Sequence, residues 1–212
     1  MCLKGLKIQF SIADILLLLL AGIILVTDVE FIGAVANSTA QAENFFTRSV
    51  LIIVPVFYIP FNFKLINEHL NKNGGELLYV YYKNVIWWLF TFLVIYSLII
   101  IPGFVVAFMQ FELTYETILI YYFTALICCI LFLGIIYMFS FMTKSIIITM
   151  LITCIYFVLC VFGYREDTWW NFYTSDIIDI SSYEGHYLRI WGLSLIFVAA
   201  GFIFNEKNEK MQ

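Results

Sequence analysis

Residues able to carry out chemistry are few in this chain. Histidine occurs only twice, at His69 and His186, and neither belongs to a metal-binding spacing such as H-E-x-x-H. The pair Cys128-Cys129 has no second pair and no histidine nearby, so a zinc site is not expected. Asp14 is the one acid well inside a candidate span, and it reads either as an interfacial acid or as a proton or ion site. We therefore expect no catalytic, metal or cofactor site and no enzyme activity.

A polar stretch from Lys64 to Lys83 has a pattern of its own. Its apolar residues fall at helical spacing up to Leu70, and the pair Gly74-Gly75 is a helix stop. The negative charge of Glu76 then suits the N-terminus of a following helix, where the helix dipole is positive. The pattern predicts a short helix lying across the membrane face, a break, and a second helical piece entering the next span. The alternative is an interfacial loop with aromatic anchors that needs no partner.

A second polar stretch runs from Arg165 to His186 and is rich in aromatic residues that suit a membrane interface, namely Trp169, Trp170, Phe172 and Tyr173. Ile177 and Ile178 follow among acidic residues. We expect these apolar residues to dip into the lipid while the acids stay in water. The alternative is an ordinary loop with an aromatic belt.

The composition indicates what kind of protein both polar stretches belong to. Hydrophobic residues make up 63% of the 212 residues and charged residues 12%, against roughly 25% charged in soluble domains. A soluble domain of this length cannot bury so much apolar surface. The composition therefore excludes a soluble enzyme and a basic nucleic-acid binder, and indicates a polytopic membrane protein.

The charges delimit six apolar segments without the period of two of a membrane barrel. We therefore predict an all-α membrane protein with one transmembrane domain, residues 1–212, and six spans, at about 8–27, 49–63, 84–110, 117–140, 145–164 and 187–205. Pro55 and Pro60 predict a kink in the second span.

Six spans place both termini on one side. That side then carries every lysine, whereas the opposite side carries Arg48, Arg165 and Arg189. The positive-inside rule makes the lysine-rich side cytoplasmic. We expect a multi-pass protein of the plasma (cytoplasmic) membrane with both termini in the cytoplasm.

In its six spans and short loops the chain resembles the permease subunits of ABC-2 type exporters. These carry a cytoplasmic coupling helix between their second and third spans, where acidic residues precede glycine and a Glu-Leu-Leu-like run. The matching positions here are Glu68, His69, Leu70, Gly74, Gly75, Glu76, Leu77, Leu78 and Tyr79. The threonine that usually follows the glycines and a later proline are absent. The resemblance covers the whole chain in topology and residues 64–83 in sequence. Members of this family have a longer outer segment between their fifth and sixth spans, so the resemblance also implies that residues 165–186 fold back into the outer leaflet as short re-entrant helices.

The resemblance implies a permease that pairs with itself or with a related permease and works with ABC ATPase subunits that bind ATP and Mg²⁺. No G-x-x-x-x-G-K-[ST] motif occurs here, so ATP would be hydrolysed by another polypeptide. Apolar and aromatic spans suit a hydrophobic or amphipathic cargo, such as a bacteriocin or lantibiotic peptide, a lipid or a drug. The alternative is a non-transporting immunity, assembly or sensor protein that binds a cationic peptide or another membrane protein. Membrane lipids are expected partners in either case.

Overall fold

The computed structural model describes residues 12–71, 85–162, 170–173 and 180–209. These residues form six α-helices: α1 (Ile12–Val35), α2 (Thr39–Asn71), α3 (Val85–Gln110), α4 (Tyr115–Thr143), α5 (Ile146–Phe162) and α6 (Ile180–Glu209). All but α5 are long and apolar enough to cross a bilayer. The chain is therefore an all-α, multi-span membrane protein, as its composition predicts.

Residues 163 and 164 of the fifth predicted span lie outside the described residues, and most of the rest of that span corresponds to α5. Helix α5 has 17 residues, which is about 25 Å at 1.5 Å per residue, against about 30 Å for the hydrocarbon core. Its last residue, Phe162, is exposed.

Helices α1 and α2 extend past charged residues that mark the limits of the first two predicted spans. Helix α1 continues past Asp28 and Glu30 to Val35, and α2 begins nine residues before Arg48, at Thr39. Helical hydrogen bonds do not end where the apolar run ends, so a helix can carry charged residues at its ends. The separate helix expected after Lys64 is also not seen, because residues 65–71 continue α2 without a break.

The turn between α1 and α2 is short because the sequence provides its own cap. The Ser38 hydroxyl accepts a hydrogen bond from the Gln41 N–H at 3.2 Å, and the Gln41 side chain accepts one from the Asn37 N–H at 3.0 Å. This is a reciprocal arrangement of the capping-box type, with glutamine three residues after serine. It satisfies backbone donors that the start of α2 would otherwise leave open.

Similar local chemistry defines the ends of α4. Thr114 caps its start by accepting from the Thr117 N–H at 3.2 Å. Lys144, with φ of 53°, ends it in the left-handed conformation, and α5 begins two residues later. Helices α4 and α5 are thus an antiparallel pair with a very tight turn.

Helix α4 is the centre of the bundle. Its most extensive contact is with α6, and it also packs against α2, α3 and α5. Many of its side chains are fully buried, including Leu131, Phe132, Leu133, Ile136 and Tyr137.

Helices α1 and α3 run parallel, since Gly22 lies against Ile99 and Gly33 lies against Gln110. A Cβ atom at Gly22 would be only 2.9 Å from the Ile99 carbonyl oxygen. Glycine is therefore needed for the two backbones to approach this closely.

Helices α4 and α6 are also parallel, since Gly134 lies against Ser194 and Tyr137 lies against Gly201. A Cβ atom at Gly201 would be 3.0 Å from the Met138 backbone nitrogen. This close approach fixes α6 along one side of α4 and leaves α5 to close the other side of a cleft.

Candidate functional site

The residues predicted to couple to a partner lie at the end of α2 and beyond it. Glu68 and His69 are in the last turns of α2, but their side chains lie outside those the structure describes. Leu70 is half-buried against the core, and Ile66 is fully buried. Ile66 therefore packs within the bundle, and Leu70 lies against it. The remaining predicted coupling positions, Gly74, Gly75, Glu76, Leu77, Leu78 and Tyr79, lie outside the described residues.

The predicted outer segment is represented by Trp170, Asn171, Phe172 and Tyr173, which have no regular secondary structure and which we call the strap. Trp169, Ile177 and Ile178 lie outside the described residues, as do the predicted re-entrant helices apart from the start of α6 at Ile180. Asn171 and Phe172 are buried, with 2% and 0% of their surfaces exposed.

Phe172, one of the aromatic residues that suit a membrane interface, is inserted between helices of the bundle. Its ring centroid lies 5.0 Å from that of Phe132 on α4, edge to face, and 5.7 Å from that of Phe157 on α5. Phe132 is 17 positions after Tyr115 and 11 before Thr143, so the strap reaches well inside the length of α4. We call the space between α4, α5 and α6 that holds Phe172 the cleft.

Three successive carbonyl groups of the strap accept hydrogen bonds from side chains of the cleft. The Tyr156 hydroxyl donates to Trp170 O at 2.7 Å. His186 Nε2 lies 2.6 Å from Asn171 O, and the Tyr187 hydroxyl donates to Phe172 O at 2.9 Å. Since a carbonyl oxygen can only accept, His186 carries a proton on Nε2. The strap is therefore held through its backbone.

The strap is also organised from within and from α5. The Asn171 side-chain oxygen accepts from the Tyr173 N–H at 3.0 Å, which forms a local Asx-type turn. The thiol of Cys160 adjoins the backbone of Phe172. The strap thus contacts α5 at two levels, one turn apart, through Tyr156 and Cys160.

Helix α5 can supply these groups because its inward-facing residues share one face. Thr149, Thr153, Tyr156 and Cys160 are spaced by four, three and four residues, which is the helical period. The threonine hydroxyls donate to carbonyls of α5 or of the turn before it, at 3.0 and 2.8 Å. Tyr156 instead directs its hydroxyl away from its own helix and toward the strap.

Buried non-helical backbone needs such donors, because its carbonyls have no helical partner. Sequence reasoning selected three strap residues, Trp170, Phe172 and Tyr173, but missed the donors Tyr156, His186 and Tyr187. A signal existed, since a buried tyrosine or histidine normally needs a hydrogen-bond partner. Which partner each one finds depends on the packing of α5 and α6.

The cleft holds the strap through its backbone carbonyls and one aromatic side chain. Among the residues that the structure describes, no three His, Cys, Asp or Glu side chains come together as metal ligands. The cleft combines an aromatic pocket for one side chain with donors for successive backbone carbonyls. Comparison of the chain with models of known families, with curated proteins and with solved structures gives no match.

Proposed function

We propose that this chain is the membrane-spanning permease subunit of an ATP-driven exporter of the ABC-2 type. In this proposal it moves a hydrophobic or amphipathic substrate across the cytoplasmic membrane, and separate ATPase subunits bind ATP and Mg²⁺. Two permeases, either two copies or one copy and a related chain, form the substrate path between them. The multi-span helical bundle and the Glu68–Tyr79 pattern of the sequence support this reading.

The single observation that carries the proposal is the length and continuity of α2. It runs unbroken from Thr39 to Asn71, about 50 Å at 1.5 Å per residue, so the end that carries Glu68 belongs to the same helix that packs inside the bundle. Ile66 is fully buried near that end. A partner that pushed on Glu68 and Leu70 would therefore act directly on a helix that packs inside the bundle.

Helix α2 is connected to its neighbours at two levels. The Tyr121 hydroxyl of α4 donates to Glu43 Oε1 at 2.5 Å near the start of α2. The Tyr96 hydroxyl of α3 donates to Val54 O at 2.8 Å, beside Pro55. Proline removes a helical hydrogen bond, so Pro55 and Pro60 are the points where α2 bends most easily. A displacement of the Glu68 end would thus reach α3 and α4.

The proposal is tested by purification of the complex from the cells that make this chain. Tagged protein in mild detergent is expected to retain a P-loop ATPase that mass spectrometry identifies. Glu76→Arg is expected to weaken this association by about tenfold or more, because like-charge or mispaired contacts at an interface cost several kcal/mol. Deletion of Gly74-Gly75 is expected to uncouple ATP hydrolysis from the permease.

The matched control is Glu112→Arg, the same charge reversal in the turn between α3 and α4, at the opposite end of α3. It is expected to leave ATPase binding unchanged. The proposal fails if no ATPase accompanies the intact chain, or if Glu76→Arg and Glu112→Arg behave alike.

The second candidate function is a non-transporting membrane partner, such as an immunity, assembly or sensor protein. The observation in its favour is the close contact of α4 and α6, which packs large side chains such as Tyr137 directly against Gly201. Flux distinguishes the two candidates. ATP-dependent movement of a fluorescent apolar peptide or lipid into vesicles that contain the purified complex would exclude the non-transporting function.

A further inference from the structure

We propose that the cleft between α4, α5 and α6 is a recognition site for a non-helical peptide segment with one large apolar side chain, and that the strap occupies this site as a built-in ligand. The strap supplies the geometry of such a ligand. Its backbone is recognised at three successive carbonyls, and a single inserted side chain, Phe172, fills the pocket.

The division of contacts decides what the site can recognise. Backbone carbonyls are present in every peptide, so the donors Tyr156, His186 and Tyr187 bind a non-helical backbone without regard to its sequence. The aromatic pocket reads one position, where Phe132 and Phe157 surround the Phe172 ring. The same division, with main-chain hydrogen bonds for affinity and a side-chain pocket for specificity, occurs where other proteins bind peptide segments.

The same donors argue against a lipid tail as the ligand. An acyl chain would fill the aromatic pocket, but it offers no series of carbonyls to Tyr156, His186 and Tyr187. Donors left without acceptors in an apolar site are costly. A peptide satisfies both the pocket and the donors, as the strap does.

Because the strap is part of the chain, it competes with any free ligand at a high effective concentration, of the order of millimolar for short tethers. A free peptide therefore binds the wild-type cleft weakly, and weakening the strap raises its apparent affinity. Recognition of the peptide stands on the cleft itself. Only the further claim that the bound peptide is the transported substrate rests on the proposed function.

The test uses the full-length protein in nanodiscs and a fluorescent, amidated tetrapeptide with the strap sequence Trp-Asn-Phe-Tyr. The Phe172→Ala protein is expected to bind this peptide about tenfold or more tightly than the wild type, because its own strap no longer fills the pocket. A peptide with alanine in place of phenylalanine is expected to lose about tenfold in affinity for Phe172→Ala. Phe172→Leu serves as the second variant if Phe172→Ala does not fold, with an intermediate gain expected.

Tyrosine variants decide between a peptide and a lipid tail. In the Phe172→Ala background, Tyr187→Phe and Tyr156→Phe are each expected to weaken peptide binding by about threefold to tenfold, as the loss of one hydrogen bond implies. The matched control is Tyr122→Phe, which is expected to have no effect. It removes a hydroxyl that does not contact the strap and that donates instead to Ser97 O, at a distance of 3.2 Å.

Three results would overturn the proposal. They are equal affinity of the wild type and Phe172→Ala, binding that is indifferent to the phenylalanine of the peptide, and binding that is indifferent to both tyrosine hydroxyls. The last result would assign the cleft to any apolar tail, including an acyl chain. Absence of an ATPase partner together with intact peptide binding would refute the transport function and leave the recognition site standing.

Discussion

Tyrosine hydroxyls donate to backbone carbonyls in two regions of the bundle, but the carbonyls are of different kinds. Where α3 packs between α2 and α4, Tyr96 donates to Val54 O and Tyr122 to Ser97 O, at 2.8 and 3.2 Å. Both acceptors are inside continuous helices. Such a carbonyl already has a donor four residues further along its own helix.

In the cleft, the acceptors belong to non-helical backbone. Tyr156 and Tyr187 donate to Trp170 O and Phe172 O at 2.7 and 2.9 Å. These carbonyls have no helical N–H to accept from. The side-chain donors therefore replace the hydrogen bonds that regular secondary structure would provide.

The difference teaches that one residue type can have two roles in the same membrane protein. Between helices, a tyrosine hydroxyl adds a hydrogen bond to a backbone that is already satisfied. In the cleft, it supplies a hydrogen bond that a buried non-helical segment would otherwise lack. Substitutions should therefore have larger effects in the cleft than between α2, α3 and α4.

The largest effect is expected for Phe172→Ala. It removes a fully buried ring from an aromatic pocket, and such truncations lower the free energy of unfolding by about 3–5 kcal/mol. Reversible unfolding by SDS in mixed micelles measures the change. Phe162→Ala, at an exposed end of α5, is the control and should have little effect. A similar small loss for both variants would mean that the pocket does not hold the strap.

An intermediate effect is expected for Tyr187→Phe. The ring stays in place, but Phe172 O loses the hydrogen bond from the hydroxyl, and an unpaired buried acceptor costs about 1–3 kcal/mol. The same unfolding assay applies, with Tyr115→Phe at an exposed position as the control. Unchanged stability would show that the carbonyl finds another donor and that the hydroxyl is dispensable.

The smallest effect is expected for Tyr96→Phe. It removes a hydrogen bond to Val54 O, whose helical partner remains, so a loss near the average of about 0.6 kcal/mol for hydrogen bonds between membrane helices is expected. The comparison between the two regions would be refuted if Tyr96→Phe destabilised the protein as much as Tyr187→Phe.

Local signals explain which helices the sequence predicted well. Residues 84–110 and 117–140 were predicted as spans, and α3 and α4 cover Val85–Gln110 and Tyr115–Thr143. Polar or charged residues end these apolar runs. Thr114 has the geometry of the cap at the start of α4, and Lys144 has the geometry of the cap at its end. The ends of α1 and α2 were missed because Asp28 and Arg48 lie within helices and not at their ends.

The candidate site was predicted only in part. Its aromatic residues identified the segment around Trp170 and Phe172 as one that belongs near the bilayer. The pairing of these donors with the strap was not predictable, because Tyr156 lies on α5 and His186 and Tyr187 on α6, and no spacing within one segment links them. Contacts of this kind depend on how helices pack, which sequence period does not encode.

The sequence by itself determined that this is a helical membrane protein, because so few charges and so many apolar residues leave no other way to bury the chain. It also determined where most of the helices lie. The tertiary structure alone decided that α2 continues to Asn71 and that Phe172 is enclosed by α4 and α5. The physical reason is that composition and period act within a segment, whereas the hydrogen-bond partners of the strap come from helices that meet only when the bundle packs.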